Sequence, residues 1–433
     1  MSDKKISQLG VAAPLTGTEP IPTVQGGVTV KTTAQDIANL APAPIIIPGA
    51  GANSTIRCGV GNLASGNCSS ALSGCGNNAS QSFATIVGGK DNTASGYYAF
   101  TGSGYCNTTS AYYAFTGSGR CNITSGNHAF TGSGNSNTTS GWFSFTGSGC
   151  KNLTQAVAGV VVGGICNNVC NVTSGCLALG AVVGGGVGNN TCGGTWSLAF
   201  CSFTVSPTIC NAGQYSFVGG GFQNRASGCY STISGGMCNT ASCRYSAIVG
   251  GFGNTSSGAY SFVGSGFCNS ATDSSSVVVG GDCNVASQRW AIILGGRNNT
   301  ATNRYSSITG GYLNTASVYF NHIGGGFSNT ASGYYSSIGG GWGNITSGGC
   351  SVVSGGKFNT ASGVASAILG GASNTTNGCA CAMIVGSNIT ADRVCATFVN
   401  NLSIKSIPTS AAGLPSGSVW RDAADGNTLK IVP

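Results

Sequence analysis

Residues 330–344 read TASGYYSSIGGGWGN, and they repeat their neighbours almost letter for letter. Residues 315–329 are TASVYFNHIGGGFSN and residues 345–359 are ITSGGCSVVSGGKFN. Each segment closes on Asn, and that Asn serves as a ruler. It recurs every fifteen residues at Asn224, Asn239, Asn254, Asn269, Asn284, Asn299, Asn314, Asn329, Asn344, Asn359 and Asn374. An earlier block keeps the same interval at Asn62, Asn77, Asn92, Asn107, Asn122, Asn137, Asn152 and Asn167. Self-similarity at a fixed short period marks a solenoid, in which one repeat cannot bury its apolar face alone and stacked repeats can.

Other columns fall into place around the Asn. Three residues before it stands Gly, in every rung from Gly89 to Gly164 and from Gly221 to Gly371. Six before it the second block reads Val218, Ile233, Ile248, Val263, Val278, Ile293, Ile308, Ile323, Ile338, Val353 and Ile368. Eight before it the residue is small, as at Ser216, Ser231, Ser246, Ala291 and Ser336. Positions two apart share one face of a strand, so the small and the β-branched residue point inward together. Val218, Ile233, Ile248, Ile293, Ile308, Ile338 and Ile368 are therefore expected in the core, at ~1.5–3 kcal/mol of burial per rung. A fifteen-residue rung has room for two short strands and two turns, pairing in parallel with rungs ~4.8 Å above and below. Stacked Asn side chains can bond from rung to rung, which accounts for the Asn without a ligand. The expected fold is thus all-β, a parallel β-solenoid or β-roll. Phe100, Phe115, Phe145, Phe217 and Phe262 recur on its outer face, and covering them calls for several chains side by side, most simply a homotrimer.

Composition excludes several alternatives. Of 433 residues 74 are Gly, only 10 are Pro and 6% are charged, without the every-third-Gly pattern of collagen. No apolar run approaches the ~18 residues of a membrane span, so no membrane insertion is expected. The N-terminal MSDKKISQLGVAAPLTGTEP has lysines but no apolar stretch after them, and does not read as a secretory signal.

The ends and one internal stretch break the period. Residues 1–48 form an N-terminal module, with a short strand and then a short helix capped by Thr33 with Asp36 following, and a Pro-punctuated linker, APAPIIIPGAG. Residues 49–167 are the first solenoid block and 211–399 the second. Between them, 168–210 depart from the count: Asn189 and Asn211 each lie twenty-two residues from their predecessors, so longer loops are expected there. Residues 400–433 end in SGSVWRDAADGNTLKIVP, a hairpin turning at Asp425-Gly426 that would cap the last rung.

The string YSSIGGGWGNITSG and its relatives from about 51 to 399 resemble the head repeats of YadA-type trimeric autotransporter adhesins. That resemblance implies a left-handed parallel β-roll of three chains. The N-terminal KKISQLGVAAPLTGTEPIPTVQGGVTVKTTAQDIANL and the closing GLPSGSVWRDAADGNTLKIVP are similar instead to the attachment module and C-terminal ends of bacteriophage fibre proteins. Together they imply a virion-surface fibre, attached through residues 1–48 to a head or tail protein and engaged in host adsorption. A capsid-decoration protein, or a self-assembling extracellular filament or adhesin subunit, is the alternative. Ice binding by Thr108, Thr109, Thr138 and Thr139 is a third, weakened because the second block mostly replaces one of each pair with Ala.

Chemistry has little to work with. His128 and His322 lie in columns otherwise filled by Phe, Ser or Tyr, and the acids from 51 to 399 are only Asp91, Asp273, Asp282 and Asp392. With no paired carboxylates, nucleophile elbow or P-loop, no catalytic residue, metal site or cofactor is assigned. The 21 cysteines include Cys106, Cys121, Cys166, Cys210, Cys238, Cys268 and Cys283, each just before a counted Asn. They read as stand-ins for Ser, Ala or Val in a half-buried column, with inter-rung or inter-chain disulfides second and metal third. Nine before the Asn runs an aromatic column: Tyr98, Tyr113, Phe143, Tyr215, Tyr230, Tyr245, Tyr260, Trp290, Tyr305, Phe320 and Tyr335. It reads first as packing between chains and second as a platform for sugar, with Tyr215, Tyr230, Tyr245, Tyr260, Trp290, Tyr305 and Tyr335 as surface-binding candidates. Eleven Lys/Arg against four Asp between 51 and 399 leave +7 per chain, scattered along the repeat. That scatter argues against nucleic acid and would favour encounter with anionic host-surface polysaccharide. The Asn-x-Ser/Thr triplets at Asn107, Asn122, Asn137, Asn152, Asn254, Asn344 and Asn374 already have a ladder role and are not read as glycan sites.

Overall fold

A computed structural model describes residues 20–25, 28–33, 46–57, 60–170, 178–403, 407–422, 424–425 and 428–433. Every regular element among them is a strand, most of only two residues. Among the described residues no helix is long and apolar enough to cross a membrane. The chain forms two compact units, Met1–Gly253 and Asn254–Pro433, and each is a parallel β-solenoid of fifteen-residue rungs.

One rung of the second unit shows the design. Asn314 occupies an inner corner and is fully buried. Thr315–Ala316 form the first strand, pairing with Thr330–Ala331 of the next rung, and His322–Ile323 the second, pairing with Ser337–Ile338. A third column, beyond the two strands and two turns expected, is made by single-residue parallel bridges such as Tyr312 to Phe327 to Trp342. Outward and inward residues alternate along each strand: Ala316 and Ile323 are buried while Thr315 and His322 are not. In the first unit the first-strand column runs from Leu63–Ala64 to Asn168–Val169. The second-strand column there runs without a break past it, through Val160–Val161, Val182–Val183 and Phe217–Val218.

Hydrogen bonds between rungs run in both directions. Strand and bridge amides donate forward, as from Thr315 N to Asn329 O (2.8 Å) and Tyr312 N to Gly326 O (2.9 Å). Turn amides donate backward, as from Leu313 N to Arg297 O (3.1 Å) and Ser328 N to Tyr312 O (2.8 Å). The reversal requires a left-handed residue, and Leu313 (φ 58°) and Ser328 (φ 55°) supply it. The column eight places earlier, with Tyr305 (φ 59°) and Phe320 (φ 59°), does the same. The Gly column differs, because it needs glycine itself: a Cβ on Gly311 (φ 89°) would lie 2.2 Å from Gly326 O.

Asn ties the corners together. Asn299 Nδ2 donates to Gly295 O of its own rung (3.0 Å) and to Gly311 O of the next (2.9 Å), and Asn299 Oδ1 accepts from Asn314 N (3.0 Å). The pattern runs through the second unit to Asn374, where Ile389 takes the next place and donates its N–H to Asn374 Oδ1. In the first unit Asn167 is followed by Asn189 and then by Asn224, whose N–H reaches Asn189 Oδ1 at 3.0 Å. Asn211 is therefore off the ladder, and the two irregular rungs are 22 and 35 residues long. The Asn-x-Ser/Thr asparagines Asn107, Asn122, Asn137, Asn152, Asn254, Asn344 and Asn374 are at most 1% exposed.

The cores of the two units differ in chemistry. Val263, Val278, Ile293, Ile308, Ile323, Ile338, Val353 and Ile368 fill the second, as Val218, Ile233 and Ile248 fill the late rungs of the first. The earliest rungs of the first unit hold Ala and Ile, such as Ala71, Ala79 and Ile86, but from Thr101 to Thr154 it packs threonine instead. Thr101, Thr109, Thr116, Thr124, Thr131, Thr139, Thr146 and Thr154 are all fully buried. Their hydroxyls form one zigzag chain with separations of 2.7–2.8 Å. Thr109 and Thr139 thus face inward, so of the four threonines of the ice-binding reading only Thr108 and Thr138 face outward.

At the ends, Val28–Thr33 is the short strand expected after Gly27, and it pairs antiparallel with Pro20–Gln25, which the sequence reading did not single out. The helix after Thr33 and most of the Pro-rich linker lie outside the described residues. Val419–Asp422 and Thr428–Ile431 form the C-terminal hairpin around Asp425, and Lys430 Nζ holds Asp422 Oδ2 at 2.6 Å. That contact depresses the Asp422 carboxyl below its ordinary value.

The threonine chain yields a sign test. Thr124→Val is isosteric but strips partners from Thr116 and Thr131, and should cost ~1–3 kcal/mol, read as a lower urea midpoint. Replacing all eight threonines by Val should return stability to within about 1 kcal/mol of the native chain, because no hydroxyl is then left unpaired.

Candidate functional site

The outer surface carries three features that could meet another molecule. The first is the aromatic column at the left-handed corner. Tyr215, Tyr230, Tyr260, Trp290, Tyr305 and Tyr335 are exposed and Tyr245 is half-buried. Several of these rings stack along the coil: Trp290–Tyr305 and Tyr305–Phe320 at 4.7 Å, Phe320–Tyr335 at 4.8 Å and Tyr230–Tyr245 at 5.0 Å. In the first unit Phe83, Tyr98, Tyr113, His128 and Phe143 form a stack of their own at 4.6–5.1 Å. A ring inside such a stack has both faces covered by its neighbours, so edges and hydroxyls face solvent. Sugar stacking on an open face is available only where a stack ends.

The stack also explains how a left-handed corner tolerates large residues. That backbone costs an L-residue ~1–2 kcal/mol. Each stacked pair adds ~0.5–1.5 kcal/mol beyond burial, and an interior ring has two such pairs. Among the described residues no Val, Ile or Thr stands at a left-handed position, where a branched Cβ would clash. The same logic places cysteine. Cys106, Cys121, Cys166, Cys238, Cys268 and Cys283 all have φ between 51° and 57°. They are unbranched small residues at a surface turn, so Ser and Ala are their equivalents there and Val is not.

The second feature is the bridge column, where cations lie over rings. Lys90 and Arg120 flank Tyr105 at 5.9 and 5.8 Å, Arg297 sits 5.7 Å from Tyr312, and Lys357 lies 4.0 Å from Trp342. Arg244 and Arg289 lie over Tyr245 and Trp290 at 4.9 and 4.5 Å. Lys90, Arg120, Arg244, Arg289, Arg297 and Lys357, scattered in the sequence, are thus held against rings at the surface. The outer Phe column also stacks, with Phe100, Phe115, Phe130 and Phe145 at 4.7–5.1 Å. His322 bonds the Ser307 hydroxyl through Nδ1 at 2.9 Å, and neither histidine approaches an acid in these contacts.

The third feature is the insert of residues 191–210, which only the break in period signalled. Thr191–Cys192 pairs antiparallel with Thr208–Ile209, and inside that, Thr195–Ser197 pairs with Ser202–Val205. Trp196 and Phe203 pack edge-on at 5.1 Å, and Trp196 lies 5.9 Å from Phe222 of the bridge column, which docks the hairpin on the solenoid. Asn190 spans the gap left in the first-strand column: its Nδ2 donates to Asn168 O (3.0 Å) and its Oδ1 accepts from Ala226 N (2.9 Å). Between the insert and the coil lies a groove of ≈ 260 Å³. Ser136, Thr138, Lys151 and Leu153 form its floor, and Ser206, Pro207 and Ile209 its outer wall. Hydroxyls, one ammonium and a short apolar wall suit a polar, partly anionic ligand. Among the described residues no three His, Cys, Asp or Glu side chains converge as a metal site.

Side-chain branching at the left-handed corner is the property to vary. Tyr305→Gly relieves backbone strain while losing two stacked pairs and should stay within about 1 kcal/mol of the native chain. Tyr305→Val loses the stacking and adds a branched Cβ, and should cost roughly 2 kcal/mol or more by urea midpoint. Equal loss in both variants would show that the ring, not the corner, decides.

No protein-family model matches this chain, and none of the curated proteins matches it.

Proposed function

We propose that the chain is a structural fibre protein of a bacteriophage virion, acting as a homotrimer that contributes to attachment on the host surface. The observation that carries this reading is the regularity of the outward apolar columns. The Tyr/Trp stacks are covered along the coil yet exposed sideways, and the Phe100–Phe145 column beside them is half-buried, with Phe145 at its exposed edge. Lateral association of identical chains is the simplest cover for columns that repeat at the rung spacing. The coil beneath them has its ladder asparagines and turn amides bonded from rung to rung, which suits a load-bearing shaft. In this reading residues 1–48 dock on a head or tail protein. The groove beside Lys151 and the basic-aromatic columns meet anionic polysaccharide.

Immunogold electron microscopy of the native source, with antibody against residues 1–48, tests the placement. Label at the base of spikes on a phage head or tail is the expected result. Label along free filaments or on cell envelopes contradicts it and favours the filament or adhesin reading. Sedimentation equilibrium of the full chain should give three times the 42.6 kDa protomer mass; a monomer at micromolar concentration contradicts the trimer.

A further inference from the structure

We infer that Cys192 and Cys210 are a disulfide-forming site that closes the base of the insert when the protein meets a low-molecular-weight disulfide. The two residues stand 18 positions apart in sequence, with their sulfurs 2.8 Å apart. Pairing of Thr191–Cys192 with Thr208–Ile209 brings them together. Cys210 is tied on both sides of its peptide unit: its N–H donates to Asn190 O at 2.9 Å, and its carbonyl accepts from Asn168 Nδ2 at 2.9 Å. Cys192 is exposed and Cys210 half-buried, so a small oxidant can reach the pair.

The ladder cysteines differ in geometry, and Cys381 beside Cys395 is a further close pair. Cys106 and Cys121, and likewise Cys268 and Cys283, occupy the same position on successive rungs. Stacked in register, their Cβ atoms lie one rung spacing (~4.8 Å) apart and point the same way. A disulfide spans a Cβ separation of ~3.5–4.5 Å, so these ladders are poorly placed for bonding and the insert pair is not so constrained.

The chemistry is two exchange steps. The Cys192 thiolate attacks oxidised glutathione, forming a mixed disulfide and releasing one glutathione. Cys210 then loses its proton and attacks the Cys192 sulfur, releasing the second glutathione. One oxidised glutathione is reduced to two, and the protons of the two protein thiols end on them. Burial and the neighbouring Cys192 sulfur push the Cys210 thiol up to about 11, so closure should quicken as pH rises from neutrality. The bond would fix residues 193–209, including the Ser206, Pro207 and Ile209 wall of the groove, without reference to what the fibre attaches to.

The full chain, first reduced, is equilibrated with glutathione pools of increasing oxidation, alkylated, and mapped by non-reducing peptide mass spectrometry. A Cys192–Cys210 linked peptide should form first, while Cys106, Cys121, Cys268 and Cys283 still take the alkyl label. Both insert cysteines remaining alkylated after the ladder cysteines have reacted would overturn the proposal, as would Cys192 bonding to Cys238 or to another chain. Limited proteolysis gives a second readout that needs no linked peptide. Cleavage within 193–209 should slow roughly tenfold on oxidation of the native chain and not at all in Cys192→Ser, since closing a loop removes open conformations. Equal cleavage before and after a confirmed Cys192–Cys210 bond would show that the bond does not close the insert.

Discussion

A coil of fifteen residues encloses too little volume to hide its corners behind side chains, so the corner carbonyls must be satisfied from within. The buried Asn does this. Its amide nitrogen reaches one carbonyl in its own rung and one in the next, and its oxygen receives the next Asn amide. Asp lacks the two donors and Gln is one methylene too long for the same corner. An unpaired buried carbonyl or amide costs ~1–3 kcal/mol, so a rung without the Asn would lose more than its Ile or Val contributes.

The rest of the surface follows from that anchor. Once the Asn holds the corner, the chain must reverse the sense of its hydrogen bonds twice per rung, and it does so with left-handed residues such as Tyr305 and Leu313. Those positions reject branched side chains and accept aromatic rings, cysteine, serine and asparagine. The outward columns of rings and thiols are thus partly a consequence of backbone geometry. Their exposure sideways, and the cations laid over them, are what remain for recognition.

The Asn interval, the Gly column and the Ile/Val column were legible because each obeys a rigid constraint repeated many times. The solenoid could be read from them directly, and the C-terminal hairpin from its Asp425-Gly426 turn. The threonine core was hidden because Thr and Val have the same shape, and only burial shows that Thr109 faces inward while Thr108 does not. The left-handed corners left a faint trace, the absence of Val, Ile and Thr from two otherwise variable columns. Asn211 misled because an Asn near the expected interval looks the same on or off the ladder. The insert groove had no signature beyond the broken count, since it depends on a hairpin that no repeat specifies.

The claim that Asn holds each rung to the next is tested most directly by amide hydrogen exchange on Asn314→Ala. The amide of Asn329 donates to Asn314 Oδ1 at 3.0 Å in the native chain. Its protection should fall about 100-fold, with the turns at Gly310 and Gly326, corresponding to ~3 kcal/mol of lost bonding. Strand amides such as Ile293, remote from that corner, should keep theirs. Unchanged protection at Asn329 and both turns would contradict the account and leave the apolar column as the tie between rungs.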